Sequence, residues 1–381
     1  MNVLYVSPSS LPSRSANSIH VVNMCKAFCQ HGADVTLVAR RTVESSRDLR
    51  SEIEGRYGPL PSELRVASYF LKTERMASLL IALLALTLLP KKRYDVIFSR
   101  NIYFAVFLCV LTSRKFFFET HNPEPGFRRR LQRYVIDHPQ AQTVVISDAL
   151  RAILVETGDA ADVSRTLVLH DAAPEGIRVL TAEERQRERR ELFPEFAPSR
   201  LVGYFGHLYR GRGFEVIEGL AKLNPEVTFL VYGGNDKEIN DLRTQFGSSN
   251  LKIMGHVSHQ EALRLMRLMD VLLMPYQKKV YVDAGARMDT SRWMSPMKMF
   301  EYLASNVPII SSRISVLEEV LVDNENALLV TPDDVSDWDR ALRKVLGDGA
   351  LERRVSARAR SDYEKKYSWK SRVASILRSS H

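Results

Sequence analysis

Cysteine is scarce in this sequence. Its 381 residues include three cysteines, Cys25, Cys29 and Cys109, and this odd number in this spacing forms no metal-binding signature. Cys25 and Cys29 lie in one apolar helical pattern, which favours buried free thiols. The sequence opens with a short strand pattern at residues 2–6 and not with a signal peptide. We therefore expect a protein of the reducing cytoplasm.

Long apolar runs are also missing. The longest, residues 77–89, has 13 residues, whereas a membrane-spanning helix needs about 20. This run predicts a helix buried against a sheet. The alternative is an interfacial helix flanked by Lys91, Lys92 and Arg93, which would place the protein peripherally at the inner face of the plasma membrane.

Signatures of three common protein classes are absent. No cluster of Asp, Glu and His residues indicates a metal site, so we expect no metal. No G-x-G-x-x-G fingerprint is present, which argues against a nicotinamide enzyme. No helix-turn-helix or aromatic platform accompanies the net charge of +9, so we expect no nucleic-acid partner.

The excess of positive charge predicts a different anionic partner. Arg128, Arg129, Arg130 and Arg133 cluster after a Pro/Gly turn. They suit an anionic acceptor or a membrane surface, and equally a solvated turn. The basic stretch at 185–190 is interleaved with acidic residues and predicts a solvated helix face.

Short apolar runs alternate with helical patterns through both halves of the chain, which predicts doubly wound parallel α/β sheets. The strand candidates are residues 3–6, 35–39, 95–98, 116–118, 143–146 and 167–169, then 201–205, 228–232, 251–254, 271–274, 308–311 and 327–330. The clearest helix candidates are residues 19–31, 258–269, 296–304 and 335–346. Residues 176–199 are charged and predict a connection between two domains, residues 1–175 and 176–361.

The loops that follow the strands are the places to look for a ligand, because parallel sheets bind ligands at the carboxyl ends of their strands. Residues 206–213 read GHLYRGRG, and the next strand ends in Gly233 and Gly234. Glycines allow a ligand to approach the backbone, arginines bind phosphate, and a helix begins directly afterwards. Plain turns with solvated arginines are the alternative.

Residues 295–304, SPMKMFEYLA, are the most informative segment. Ser295 predicts a helix N-cap and Pro296 the first helical residue. Lys298 then lies at the positive end of the helix dipole, which is unfavourable unless an anion binds there. Glu301, one turn further on, suits sugar hydroxyls. A simple Lys298–Glu301 pair within the helix is the alternative.

In the first half, His121 follows the strand at 116–118. Its place at a strand end suits contact with a sugar or an acceptor hydroxyl, although a structural histidine is equally compatible.

In this order, the loops resemble those of retaining glycosyltransferases of the GT-B fold, specifically glycosyltransferase family 4, over almost the whole chain. Residues 295–304 resemble the family motif S-P-x-K-x-F-E-Y-x-A, and residues 203–213 resemble its G-[RH]-L-x-x-x-[KR]-G loop. The resemblance implies two Rossmann-like parallel-sheet domains facing an interdomain cleft. It also implies that a last helix, residues 362–381 with Tyr367, Ser368 and Trp369 inside it, packs back on the N-terminal domain.

The resemblance also implies roles for individual residues. The catalytic set would be His121, Arg212 and Lys298. The donor-binding set would be Gly206, His207, Arg210, Gly233, Gly234, His256, Val257, Ser295, Met297 and Glu301. The acceptor-side set, which borders the cleft, would be Asn17, Ser18, Asn122 and Ser147.

Two departures from the family pattern bear on the donor sugar. Trp293 stands where the E-x7-E motif has its first acid, and residues 277–294 form a long stretch with Lys278, Lys279, Arg287 and Arg292. Residues 15–18, SANS, replace the usual Gly-Gly loop. We expect rearranged contacts with the sugar and unchanged nucleotide binding.

These expectations describe a metal-independent glycosyltransferase without a further cofactor. Its donor would be a nucleoside-diphosphate sugar, and its acceptor a hydroxyl of a glycan or a lipid-linked molecule. The reaction would proceed with retention, in cell-envelope glycan, polysaccharide or glycolipid assembly. A nucleotide-sugar epimerase and a non-catalytic nucleotide-sugar or glycan-binding protein stay open as alternatives.

Overall fold

A computed structural model describes residues 1–13, 15–41, 49–70, 74–160, 165–196, 199–281 and 288–379. The chain divides into two compact units. Unit 1 comprises Met1–Asp171 and Trp369–His381, and unit 2 comprises Ala172–Ser368. The sequence predicts a first domain that ends at residue 175 and a returning segment that begins at residue 362. In the structure the two units divide after Asp171 and after Ser368.

The described strands of unit 1 form a parallel sheet in the order β3-β2-β1-β4-β5-β6-β7. The strands are β1 (Asn2–Leu11), β2 (Asp34–Arg41), β3 (Leu64–Phe70), β4 (Val96–Ser99), β5 (Phe116–Thr120), β6 (Ala141–Val145) and β7 (Thr166–Val168). Every residue of β4 and β5 is buried, as expected for strands covered on both faces.

The described strands of unit 2 form a second parallel sheet, in the order β10-β9-β8-β11-β12-β13. The strands are β8 (Arg200–Phe205), β9 (Val227–Tyr232), β10 (Leu251–Gly255), β11 (Val271–Met274), β12 (Ile309–Ser312) and β13 (Leu328–Val330). The predicted fold class, two Rossmann-like parallel α/β sheets, is confirmed.

Helices occupy most of the connections. They are α1 (Ala16–Gln30), α2 (Leu49–Tyr57), α3 (Glu74–Leu86), α4 (Ile102–Leu111), α5 (Gly126–Asp137), α6 (Asp148–Glu156), α7 (Ala182–Leu192), α8 (Phe214–Leu223), α9 (Asp236–Gln245), α10 (His259–Met266), α11 (Met297–Ala304), α12 (Val335–Gly347), α13 (Gly349–Lys366) and α14 (Trp369–Arg378). None of the described helices combines the length and apolar character that crossing a membrane requires.

The predicted connection at 176–199 contains α7, which includes the basic stretch at 185–190 that was expected to form a helix face, and its first turn is closed by a capping box of Thr181 and Glu184. Two other local expectations were wrong. Pro296, and not Ser295, is the N-cap of α11. The last helix is interrupted, because α13 ends at Lys366 and α14 begins at Trp369.

Other details agree with the sequence or refine it. The apolar run at 77–89 forms most of α3, and Ile81, Ala82 and Ala85 are fully buried. The four clustered arginines lie on helix α5 and not in a turn. The three thiols are free, with Cys25 and Cys109 buried.

Candidate functional site

Glycines join the carboxyl ends of three neighbouring strands in unit 2. The Gly206 amide donates to the carbonyl of Tyr232 at 2.9 Å, and the Gly233 amide donates to the carbonyl of Gly255 at 2.8 Å. A Cβ atom on Gly233 would collide with the Gly206 carbonyl oxygen, and its φ of +134° also favours glycine. We call Gly206, Gly233 and Gly255 the glycine edge. The missing side chain of Gly233 allows the chain after β9 to pack directly against the chain after β8.

Lys298 lies against this edge. A Cβ atom on Gly206 would lie 2.9 Å from the Lys298 ammonium nitrogen. The same nitrogen lies 4.1 Å from the ring centre of Tyr204 and 4.7 Å from that of Tyr276. Within the described ranges, Lys298 makes no ion pair. Burial, and then the charge of Arg212, hold the pKa of Lys298 well below its usual range.

Arg212 lies beside Lys298. Its guanidinium carbon is 5.2 Å from the ring centre of Tyr276, and it donates a hydrogen bond to the Tyr281 carbonyl at 2.8 Å. Gly213, the N-cap of α8, has a φ of +76°, and a Cβ atom there would collide with the Pro275 carbonyl. The loop can therefore pack tightly against the chain that follows β11. Two cations share one aromatic side chain, an arrangement that suits a doubly charged anion.

Glu301 makes its ion pair with His259 and not with Lys298. Its Oε1 atom lies 2.6 Å from Nε2 of His259 on α10, and the residue is 6% exposed. The adjacent Tyr302 hydroxyl accepts a hydrogen bond from the Phe205 amide at 2.9 Å. This bond fixes α11 to the end of β8.

The remaining residues predicted for donor binding lie around the ends of the same strands. His207 and Arg210 are exposed in the loop after β8, and Gly234 is half-buried after β9. Arg210 makes no hydrogen bond or ion pair within the described part of the chain. His256 is exposed and Val257 half-buried after β10, whereas Ser295 and Met297 are buried at the start of α11. Arg287 lies outside the described residues.

In unit 1, Glu119 at the end of β5 connects four basic side chains. Its Oε1 atom lies 2.6 Å from Nε2 of His121, 2.9 Å from Nε2 of His20 and 3.2 Å from Nε of Arg100. Its Oε2 atom lies 2.9 Å from the Arg372 guanidinium of α14. We call these five residues together with Asp171 the Glu119 network.

Opposite charges set the protonation of this network. Burial alone would raise the pKa of Glu119, but Arg372 and His20 hold it well below its usual range. Burial would likewise raise the pKa of Asp171, and His20 lowers it. Burial and the nearby Arg100 lower the pKa of His121 to about 4. Near neutral pH the two carboxylates are therefore ionised and His121 is neutral.

Three groups of the network are close enough to hold a metal ion, a cluster that the sequence did not indicate. The ligand atoms of His20, His121 and Asp171 all lie within 4.8 Å of one another. However, each ring nitrogen of His20 already lies within 2.9 Å of a carboxylate oxygen. Arg100 and Arg372 add two positive charges beside Glu119. The charge balance therefore disfavours a further cation.

The acceptor-side residues make local hydrogen bonds. The Asn17 amide donates to the Ser9 hydroxyl at 2.7 Å, and the Ser18 hydroxyl donates to the Ser10 carbonyl at 2.9 Å. The Asn122 carbonyl accepts from the Thr120 hydroxyl and from Gln132. The fully buried Ser147 hydroxyl accepts a hydrogen bond from the Leu150 amide and caps α6.

Sequence reasoning missed most of the Glu119 network. Glu119 and His121 had a local signal, because they lie two residues apart at the end of a predicted strand. The other members had none, since 151 residues separate His20 from Asp171 and 253 separate Glu119 from Arg372. His259 was missed for the same reason.

Both units have the architecture of GT-B glycosyltransferases. Sucrose-phosphate synthase from Thermosynechococcus elongatus has a TM-score of 0.74 at 15% identity and covers 99% of this chain and 97% of its own. HepE of Anabaena, in complex with UDP and glucose, has a TM-score of 0.72 at 15% identity, with both chains covered fully.

Sequence comparison identifies the family in unit 2. Residues 199–348 match the family model described as "Glycosyl transferases group 1". The predicted resemblance to glycosyltransferases is thus confirmed over this part of the chain. Glycogen synthase of Mycobacterium tuberculosis is 25% identical over 183 residues, which are 46% of this chain. The matched region spans only 41% of that relative's length.

Proposed function

We propose that this chain is a glycosyltransferase that moves a sugar from a nucleoside-diphosphate sugar to a hydroxyl group. The ammonium of Lys298, which makes no ion pair among the residues that the structure describes, lies beside Arg212 and the glycine edge, and this arrangement carries the proposal. A diphosphate would bring negative charge to both cations and to the N-termini of α8 and α11. The family match and the UDP and glucose bound to HepE support the same choice of donor.

Glu301 supplies the second part of the proposed donor site. An ionised carboxylate accepts hydrogen bonds from hydroxyls, and a ribose presents two of them in adjacent positions. His259 would hold the carboxylate in place at its 2.6 Å contact. The nucleoside would then lie beside α10 and α11, with its diphosphate on Lys298.

The chemical task is to stabilise the leaving diphosphate. Negative charge develops on its oxygens as the bond to the sugar breaks, and fixed cations stabilise that charge without rearranging. Lys298 and Arg212 would take this role in place of Mg²⁺. Retention of anomeric configuration belongs to the proposal and is supported by the family resemblance alone.

A thermal-shift screen of UDP-, GDP-, ADP- and dTDP-sugars in EDTA tests the donor site. We expect one nucleotide to stabilise the wild type, since ligands that bind only the native state raise its stability. Lys298→Ala and Glu301→Ala should lose the shift. Lys222→Ala is the control and should keep the shift. The Lys222 side chain lies at the far end of α8 and is 67% exposed.

Three outcomes would change this proposal. No shift at millimolar nucleotide would remove the donor site and leave a GT-B-shaped binding protein. A shift that requires Mg²⁺ would overturn metal independence. Inversion of UDP-sugar configuration without transfer would indicate an epimerase.

For the acceptor, we propose a glycan or lipid-linked hydroxyl at the cytoplasmic surface of a membrane, in envelope glycan assembly. Phe127, Arg130 and Tyr134 lie three and four residues apart on α5 and form an exposed stripe, with Phe127 68% and Tyr134 45% exposed. Arg130 makes no ion pair in the described portion. On the neighbouring α4, Val110 and Leu111 are each 63% exposed. Aromatic and cationic side chains together suit an anionic membrane surface.

Co-sedimentation with vesicles tests this face. We expect binding to phosphatidylglycerol vesicles and little to phosphatidylcholine vesicles, weakened in a Phe127→Ala, Arg130→Ala double variant. Arg378→Ala, an exposed arginine of α14, serves as the control. Equal sedimentation of the double variant and the wild type would refute the membrane assignment without affecting the donor site.

A further inference from the structure

The Glu119 network determines which ring nitrogen of His121 carries the proton. Glu119 is ionised, so it can only accept hydrogen bonds. His121 is neutral near pH 7 and therefore has one N–H group. The 2.6 Å contact between Nε2 and Glu119 Oε1 requires that this proton be on Nε2. The lone pair must then be on Nδ1.

Nδ1 of His121 is available to a ligand. Within the part of the chain that the structure describes, this atom makes no hydrogen bond. The side chain is 21% exposed, whereas the Glu119 side chain is fully buried. The ring therefore has its proton directed inward and its accepting nitrogen left for an external donor.

The last helix holds the carboxylate. Arg372 lies 2.9 Å from Glu119 Oε2 and also donates to the carbonyls of His170 at 2.9 Å and Leu169 at 3.0 Å. Its side chain is 2% exposed. The planar guanidinium satisfies three acceptors in fixed directions, which a lysine ammonium on a flexible stem does not reproduce. Rotation of Glu119 would break this fork.

His20 of α1 lies against the same carboxylate. Its Nε2 lies 2.9 Å from Glu119, its Nδ1 lies 2.8 Å from Asp171, and its ring packs edge-on against Trp369 of α14 at 4.8 Å. Glu119 is thus held by groups from α1 and α14 as well as from its own sheet. Contacts from several secondary-structure elements to one side chain are typical of a group that orients a functional residue.

We propose that Glu119 and Arg372 are positioning residues that fix His121 in the Nε2–H tautomer and direct Nδ1 to accept a hydrogen bond from a substrate hydroxyl. The identity of that substrate as a sugar rests on the proposed function. The tautomer itself depends only on the residues of unit 1.

Two-bond ¹⁵N–¹H NMR of protein labelled in its histidine rings tests the tautomer. His121 is assigned by the signals missing from His121→Gln. We expect a protonated Nε2 and an unprotonated Nδ1 from neutral pH down to about pH 4. An Nδ1–H tautomer, or a doubly protonated ring at pH 7, in the wild type would overturn the proposal even if the Glu119 and Arg372 variants do not fold.

Two variants test the positioning role. Glu119→Gln offers an amide N–H to Nε2, so the proton should move to Nδ1. Arg372→Lys should yield a mixture of both tautomers, and Arg378→Ala on the same helix should give the wild-type spectrum. A wild-type tautomer in folded Glu119→Gln would refute the role of the carboxylate.

A donor titration separates this inference from the proposed function. Addition of the nucleotide-sugar selected by the thermal screen should shift the His121 Nδ1 resonance, and the nucleoside diphosphate alone should not. If no nucleotide binds, the proposed function fails while the tautomer result stands. If the sugar nucleotide binds through Lys298 and Nδ1 does not move, the assignment of Nδ1 to the sugar fails.

Discussion

At the scale of single residues, the proposed donor site depends on a lysine and a glutamate that make no ion pair with each other. Lys298 faces two tyrosine rings where a carboxylate would otherwise be expected. Glu301 instead contacts His259. Leaving a cation without a counter-ion is unfavourable for the free protein, so an anionic ligand that binds there restores the balance.

His259 is predicted to matter through Glu301. We expect His259→Ala to raise the dissociation constant of the nucleoside diphosphate about tenfold, because a hydrogen bond to a charged group contributes about 1.5–3 kcal/mol. Isothermal titration measures this change. His259→Gln keeps an N–H donor and should recover much of the affinity. Equal affinities of wild type and His259→Ala would show that Glu301 needs no support.

The lowered pKa of His121 predicts a pH dependence of stability. The unfolded histidine has a pKa of about 6.5, and the folded one about 4. Between these values the unfolded chain binds more protons, so the free energy of unfolding falls as the pH falls through this range. The pKa values of Glu119 and Asp171 are lowered, so protonation of these carboxylates reduces the free energy of unfolding only at more acidic pH.

Urea unfolding across this pH range checks the prediction. His121→Gln should lose less stability than the wild type between about pH 6.5 and about pH 4. His256→Gln, which replaces an exposed histidine of unit 2, should behave like the wild type. Parallel pH curves for wild type and His121→Gln would contradict the shifted pKa.

At the scale of elements, backbone geometry shapes the donor site. The amides of Gly206 and Gly233 pair the ends of β8, β9 and β10, and a side chain on Gly233 would collide with the Gly206 carbonyl of the neighbouring chain. Helix α11 is tied to this edge through Tyr302 and Phe205. The position of Lys298 therefore follows from the sheet and not from the loop alone.

Gly233 tests this arrangement. Gly233→Ala should lower the melting temperature and abolish nucleotide binding, because its Cβ would collide with the Gly206 carbonyl at a φ of +134°. Gly247→Ala is the matched control, since its Cβ would meet nothing within 4 Å. Calorimetry and titration on both variants measure the effect. Normal binding by Gly233→Ala would show that the edge tolerates side chains.

The strands and helices also show which parts of the fold could be predicted from the sequence. Buried runs such as β5 and β11 were readable because parallel strands are apolar on both faces. β3 and α2 were missed, since their patterns are mixed and five of the seven residues of β3 are only partly buried. The Ser-Pro signal misplaced a cap by one residue. No helix-breaking residue marks the end of α13 in the sequence. Tyr367 and Ser368, which separate α13 from α14, contact the rest of unit 2. Only the tertiary structure shows these contacts.

At the scale of the whole molecule, the two kinds of chemistry belong to different units. Unit 2 holds the cations and the family match, and unit 1 holds the Glu119 network. The motifs of unit 2 are contiguous in sequence and were predicted individually. The network of unit 1 is assembled from α1, β5 and the last helix, so no window of sequence contains it.

The central claim is that Lys298 binds the diphosphate of a nucleotide donor. Isothermal titration in EDTA, with the nucleoside diphosphate selected by the screen, tests it most directly. The account predicts saturable binding to the wild type and to Lys222→Ala, and at least a roughly tenfold weaker interaction with Lys298→Ala, as expected for loss of a charge-assisted bond. Equal affinity of Lys298→Ala and the wild type would contradict the account.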